Sequence, residues 1–225
     1  MSAPTPNLQT LFPKDATYPI ALKTSAAFKT APPLAAIGNL DLLAQNATPP
    51  SCSKTLALFC SKQCPGDLIL KTYDLAQALR DANISVISGF HTPIEQDCLK
   101  ILLRGIQPII HCPARSIHQM RLSPAQKQAI GANRLLLISP FSASYPRITA
   151  ELAAKRNAMI GAIAHIILIA YAAPNSKTLA LAQSLIAAGK FVATLASPSN
   201  PLLQEQGIVV LDINNEELDF ITTLQ

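Results

Sequence analysis

The feature that most constrains this chain is a rhythm. From Thr55 onward, short apolar runs alternate with segments whose apolar residues recur at helical spacing. TLALFCS (Thr55–Ser61), ISVISG (Ile84–Gly89), QPIIHC (Gln107–Cys112), RLLLISPF (Arg134–Phe141), HIILIAYA (His165–Ala172), KFVATLA (Lys190–Ala196) and GIVVLDI (Gly207–Ile213) read as strands. DLILKTYDLAQALRDA (Asp67–Ala82), IEQDCLKILLRG (Ile94–Gly105), LSPAQKQAIGA (Leu122–Ala132), ITAELAAKRNAMIGAIA (Ile148–Ala164) and SKTLALAQSLIAAG (Ser176–Gly189) read as helices, with an acidic helix expected after the last strand. Strands apolar on both faces need cover on both faces. Strand–helix alternation supplies it, because each crossover lays a helix on the sheet. The expected fold is α/β: a doubly wound, mainly parallel, Rossmann-like sheet with a short N-terminal extension.

Local signals agree with these boundaries. Ser123 with Pro124 reads as a cap and first helical residue. Glu95 and Asp97 fall in a first turn, Arg104 in a last turn, and Gly105 is a stop. The first fifty residues are rich in Pro, Ala and Thr and suggest short extended pieces with a helical turn. NATPPSCSK (Asn46–Lys54) is a linker by composition. Residues 1–50 are therefore expected as an extension packed on a main domain of residues 51–225. Hydrophobic residues make up 49% of the chain and charged residues 14%, with no Trp, so the core must be built from Ala, Leu and Ile.

Several classes are set aside. The opening MSAPTPNLQT has no basic-then-apolar leader pattern. IGAIAHIILIAYAA (Ile160–Ala173) is too short for a bilayer and contains His165. Five scattered cysteines suit a cytosolic protein with reduced thiols. Cys60 and Cys64 lack a second pair to complete a zinc site, and His91, His111 and His118 have no ligand spacing. No metal and no cofactor is expected.

In doubly wound folds ligands bind at the carboxyl ends of the strands. The loops there carry Ser61-Lys62-Gln63, Ser88-Gly89-Phe90-His91-Thr92, Arg115-Ser116, Ser139-Pro140-Phe141-Ser142, Asn175-Ser176-Lys177-Thr178 and Ser197-Pro198-Ser199-Asn200. In any one loop these residues also serve as helix caps. Taken as a set, hydroxyls, cations and helix N-termini form a rim suited to phosphate. From Cys98 to Ala150 there is no Asp or Glu, while Lys100, Arg104, Arg115, Arg121, Lys127, Arg134 and Arg147 fall there, suggesting a positive face. The formal net charge is +5. G-x-G-x-x-G, the P-loop and the G-x-S-x-G elbow are all missing. Glu95 and Asp97 read as dipole-favoured acids rather than an acid–base pair.

The order of these pieces resembles the DNA-processing protein A (DprA/Smf) family. The family's V-S-G-x-A-x-G-I-D corresponds to Ile87 through Glu95, with Pro93 at the second Gly and Glu95 at the Asp. Its V-G-S-R corresponds to Phe59-Cys60-Ser61-Lys62, and its R-N-R-I-I to Arg156-Asn157-Ala158-Met159-Ile160. Its S-G-S/T corresponds to Asn175 through Thr178, and its N-terminal Y-P…L…P-P…L…G to Tyr18-Pro19, Leu22, Pro32-Pro33-Leu34 and Gly38. The resemblance is to a divergent member without a C-terminal winged helix. It implies single-stranded DNA as ligand, a homodimer, RecA as partner, a role in recombination or natural transformation, and no membrane. It also implies contacts from Lys62, Ser88, Gly89, Arg115, Arg156, Asn157, Ser176 and Lys177, with Phe90, Phe141 and Tyr145 as stacking candidates. The alternative is a nucleotide sensor, or an enzyme like the nucleoside-monophosphate phosphoribohydrolases. Their P-G-G-x-G-T-x-x-E would fall at Pro174 onward, where its glycines and Glu are absent. No catalytic residue is assigned.

Overall fold

The computed structural model describes residues 7–25, 28–43, 54–82 and 84–212. The expected linker falls largely outside these, and the expected acidic helix wholly outside.

The strand–helix alternation expected from Thr55 to the last strand is present. The strands are β3 (Thr55–Cys60), β4 (Ser85–Ser88), β5 (Ile109–His111), β6 (Leu135–Ser139), β7 (Ile166–Tyr171), β8 (Phe191–Leu195) and β9 (Val209–Leu211). The helices between them are α2 (Gly66–Asp81), α3 (Pro93–Leu102), α4 (Pro124–Gly131), α5 (Ala150–Ile163), α6 (Lys177–Ala187) and the short α7 (Pro201–Gln204). Ahead of them stand β1 (Leu8–Leu11), α1 (Ile20–Lys23), β2 (Leu34–Gly38) and a 3-10 turn at Leu40–Leu43. The nine strands of the described residues join one sheet in the order β1-β2-β6-β5-β4-β3-β7-β8-β9. From β6 to β9 all pairs are parallel. The N-terminal segment is part of this sheet: β2 pairs antiparallel with β6, and β1 with β2. Gly38 makes that pairing possible. Its φ is +113, and a Cβ there would lie 2.2 Å from the Leu135 carbonyl oxygen.

Strand residues divide between two cores by the period-two rule. Leu56 and Leu58 of β3, with Leu135 and Leu137 of β6, face one side, where α2, α3 and α4 bury Leu75, Cys98 and Ala129. Ala57, Phe59, Leu136 and Ile138 face the other, against Met159 and Ile160 of α5, Ala182 and Leu185 of α6 and Leu22 of α1. Uniformly apolar strands are thus explained, since each side chain meets a helix layer. No described helix is long and apolar enough to cross a membrane.

Strand order reverses at β3. The chain runs outward through β4, β5 and β6 on one side and through β7, β8 and β9 on the other. The loops after β3 and β7 therefore part, leaving a crevice above their carboxyl ends.

Candidate anion-binding cleft

A cleft of about 1290 Å³ occupies that crevice. Lys62 and Gln63 line it after β3, His91 and Thr92 after β4, Ala173 and Ser176 after β7, Ile148 and Thr149 ahead of α5, and Ala150, Ala153, Ala154, Asn157 and Ala158 along α5. Two helices begin at its edge. At α3, the Thr92 hydroxyl accepts from the Glu95 N–H while Glu95 reaches back to the Thr92 N–H, forming a reciprocal cap. At α6, the Ser176 hydroxyl accepts from the Leu179 N–H. Lys62 and Lys177 are exposed, and among the described residues no carboxylate lines the cleft. The N-terminus of α6 and the two cations make this end of the crevice attractive to an anion, while the α3 N-terminus is already answered by Glu95. The other wall is made from Ile148, Ala153, Ala154, Ala158 and Leu181, and is apolar.

Sequence reasoning brought four expected residues to this cleft: Lys62, Asn157, Ser176 and Lys177 all line it. Asn157 Oδ1 is buried and finds no hydrogen-bond partner among the described residues. An orphaned acceptor at a ligand cleft is a ready partner for a donor on the ligand.

The others are placed elsewhere. Ser88 is fully buried; its hydroxyl donates to the Leu58 carbonyl at 2.8 Å and accepts from the Phe90 N–H at 3.2 Å. Ser139 repeats the device, donating to the Arg115 carbonyl and accepting from the Phe141 N–H. Ser197 accepts from the Ser199 N–H. Serine at these strand ends is a local turn lock, using a hydroxyl to hold the N–H two residues on. The direct phosphate contact expected of Ser88 is therefore replaced by a structural role. Arg115 is half-buried and does not line the cleft. None of the cations between Cys98 and Ala150 lines it either, so the positive face expected there is not the cleft.

Arg156 is the largest correction. It is only 4% exposed, and its guanidinium donates from Nη1 to the Cys112 carbonyl at 3.1 Å. It occupies the space beside Gly89, where an added Cβ would lie 1.2 Å from Nη1. A buried charge cannot fork onto a solvent-side phosphate. Its role is internal: it ties α5 to the ends of β4 and β5. Glu95 faces it from the other side of the turn, also buried, accepting from the Cys60, His91 and Thr92 N–H groups. Burial pushes the Glu95 carboxyl up; those N–H donors and the Arg156 charge oppose the shift. The sequence reads Glu95 as a dipole-favoured first-turn acid; the structure adds that it is buried and caps the turn. The T-x-x-E spacing of Thr92 and Glu95 was the available sign of its capping role.

Asp97 lies apart, accepting from Tyr73 and Lys100. Of the stacking candidates, Phe90 and Phe141 are buried and only Tyr145 is exposed. Phe90 has a φ of 44, a costly conformation for a bulky side chain. The Ser88 hydroxyl and an edge-on contact with His111 at 5.4 Å hold it there.

The model of the DNA recombination-mediator protein A family matches residues 9–209. The chain belongs to that family. DNA processing protein A of Streptococcus pneumoniae has a similar structure, with a TM-score of 0.75 and 18% identity over 97% of this chain and 75% of its own. The protein of Helicobacter pylori, described for a unique single-stranded DNA binding mode, gives a TM-score of 0.74 and 16% identity over 95% of each chain. A molybdenum cofactor binding protein of Rippkaea orientalis shares the fold more loosely, with a TM-score of 0.54 and 12% identity over 76% of this chain and 96% of its own. No curated protein matches the sequence.

Proposed function

We propose that this chain binds single-stranded DNA through its backbone in the cleft above β3 and β7. The observation that carries this is the lining itself: Lys62, Lys177 and the N-terminus of α6, with no carboxylate among the described lining residues. Phosphates meet the charged end, and sugars and bases lie along the apolar α5 and α6 wall. Such contacts leave sequence largely unread. Asn157 supplies one acceptor for a base or sugar donor. Serving DNA to RecA, acting as a homodimer and working in the cytosol are carried into the proposal from family membership and from the resemblance.

The chain is proposed to act without turnover. The catalytic Glu of the related hydrolases has no counterpart here, since no Asp or Glu lines the cleft among the described residues. Incubation with nucleoside monophosphates is expected to release no free base by chromatography; steady release would replace the binding reading with an enzymatic one.

The binding test is salt dependence. Each neutralised phosphate of a single strand contributes a slope of about −0.7 in log K against log salt. Oligo-dT affinity measured by fluorescence anisotropy should fall steeply with salt. Lys62→Ala with Lys177→Ala should flatten the slope by about 1.4 and weaken binding at least about tenfold. Both lysines are exposed, so the fold is expected to survive. An unchanged slope would place the DNA elsewhere.

A further inference from the structure

The last strand delivers the chain to the side of the sheet on which the cleft opens. β9 runs parallel to β8, and β8 to β7, so all three end there. The end of β9 is held in place. The Ala196 N–H donates to the Leu211 carbonyl at 2.7 Å, and Asp212 Oδ1 lies 3.6 Å from Lys71 Nζ, which donates to the Ala196 carbonyl at 2.6 Å. Asp212 is the last of the described residues. The sequence continues from 213 to 225 as INNEELDFITTLQ, with Glu216, Glu217 and Asp219 and no Lys or Arg. The cleft has the opposite character: Lys62 and Lys177 are exposed, and no carboxylate stands among its described lining residues. Each also has an apolar part. Leu218, Phe220 and Ile221 lie among and after the acids, and Ala153, Ala154, Ala158 and Leu181 form the cleft wall.

We propose that residues 213–225 occupy the cleft of their own chain, with their acids on Lys62 and Lys177, and so compete with single-stranded DNA for it. The reach fits. Neighbouring strands lie about 4.8 Å apart, so the end of β7 is about 10 Å from the end of β9, and the end of β3 about 14 Å. An extended chain covers about 3.3 Å per residue. Counted from Asp212, Glu216 and Glu217 reach about 13 and 17 Å, and Asp219 about 23 Å. The acids thus fall at the range of Lys177, after β7, and Lys62, after β3. The apolar residues beside them fall over the wall of α5 and α6. Lys71, the cation at the exit, is already engaged by Asp212 and the Ala196 carbonyl, which leaves the later acids for the cleft. Exposed ion pairs are individually weak, but a tethered segment meets its site at a local concentration in the millimolar range. The segment therefore yields to a long polyanion and excludes a weak one.

The docking stands by itself; its competition with DNA rests on the function proposed above. Contact is read by a water-soluble carbodiimide, which joins an amine to a carboxylate that touches it. The native full chain, mixed with an equal share of nitrogen-15-labelled chain, is treated at low salt, denatured and digested with trypsin. No Lys or Arg follows Lys190, so the acids are recovered in the peptide 191–225, and fragmentation locates the joined one. The Asp212–Lys71 pair serves as internal control. The expected product joins residue 216, 217 or 219 to Lys62 or Lys177 of the same chain, and fades as salt rises. Glu216→Gln with Glu217→Gln and Asp219→Asn should abolish it and raise oligo-dT affinity at low salt about threefold. A control of equal charge, Asp41→Asn with Asp74→Asn and Glu205→Gln, should raise affinity less, because those exposed acids lie outside the cleft. Joining to Lys71 alone, joining between copies, or a rise no greater than the control's would each overturn the proposal. If oligo-dT binds neither wild type nor variants, the DNA reading falls and the joined peptides alone decide the docking.

Discussion

Replacing Arg156 with Ala should unfold the protein more readily, not merely empty a ligand site. The guanidinium is buried, donates to the Cys112 carbonyl, and fills the space beside Gly89. Removing one member of a buried charge arrangement leaves the other unanswered, at a cost of about 3–5 kcal/mol. Here the member left is Glu95, whose ionised form would keep its backbone donors but lose the opposing charge. For a chain of this size the melting midpoint should fall by about 10 °C. Guanidinium unfolding at neutral pH measures the loss. A second variant separates this account from general fragility. Gly89→Ala puts a methyl 1.2 Å from Nη1 and 2.0 Å from Cζ, so it too should destabilise. In the double variant the clash is gone, because the atoms it met are gone. The double variant should therefore lose less than the sum of the singles, with a coupling of about 1 kcal/mol or more. Strict additivity would show that Arg156 does not occupy the Gly89 site in solution.

Arg156 also shows what the sequence could and could not disclose. Its helix was legible from apolar spacing, and the strand ahead of it from an unbroken apolar run, so the layered sheet followed. The position of the cleft followed too, because parallel connections put the loops of β3 and β7 side by side. Which way a polar residue turns at a strand end was not legible. Ser61 and Ser88 both follow an apolar run, yet Ser61 lines the cleft and Ser88 locks its own turn. The difference lies in pairing across the sheet: Ser61 faces the gap at β7, whereas the Ser88 hydroxyl meets the neighbouring Leu58 carbonyl. Likewise Arg156 lies one residue from Asn157, and a step along a helix turns a side chain by about 100°. That step separates a buried charge from a cleft residue. The N-terminal extended pieces were legible as pieces; their entry into the sheet rests on β2 meeting β6, about a hundred residues later in the chain.

Acid should weaken the fold through His111. This ring is 6% exposed, edge-on to Phe90, with Gln126 Nε2 3.5 Å from Nδ1. Burial, then the positive field of Arg156, pushes its pKa down to about 4, against a hydrogen bond to the Gly89 carbonyl that pulls the other way. In the unfolded chain the ring titrates near its ordinary value of about 6.5. The unfolded state thus takes up the proton first as pH falls. Stability from keeping His111 neutral is complete above about pH 6.5 and drains away as pH drops toward 4, where the folded ring also protonates. The gap of about 2.5 units corresponds to about 3 kcal/mol. Glu95 acts in the opposite sense: its raised pKa means that protonation near the acid end favours the folded state. The wild-type curve alone therefore mixes two trends. His111→Asn removes one of them and lacks the titrating ring, so the difference between wild type and variant isolates the histidine. Guanidinium unfolding at pH 7 and pH 4.5 should show the wild type losing about 2–3 kcal/mol more than the variant. Parallel loss in both would mean that His111 reaches solvent and protonates in the folded state as it does in the unfolded one. A charged His111 would stand against Arg156, at the ends of β4 and β5 that support the α3 cap. The same acid range should then open the turn at Gly89 first, detected as faster amide exchange at Phe90 and His111 than at Leu135 to Ile138.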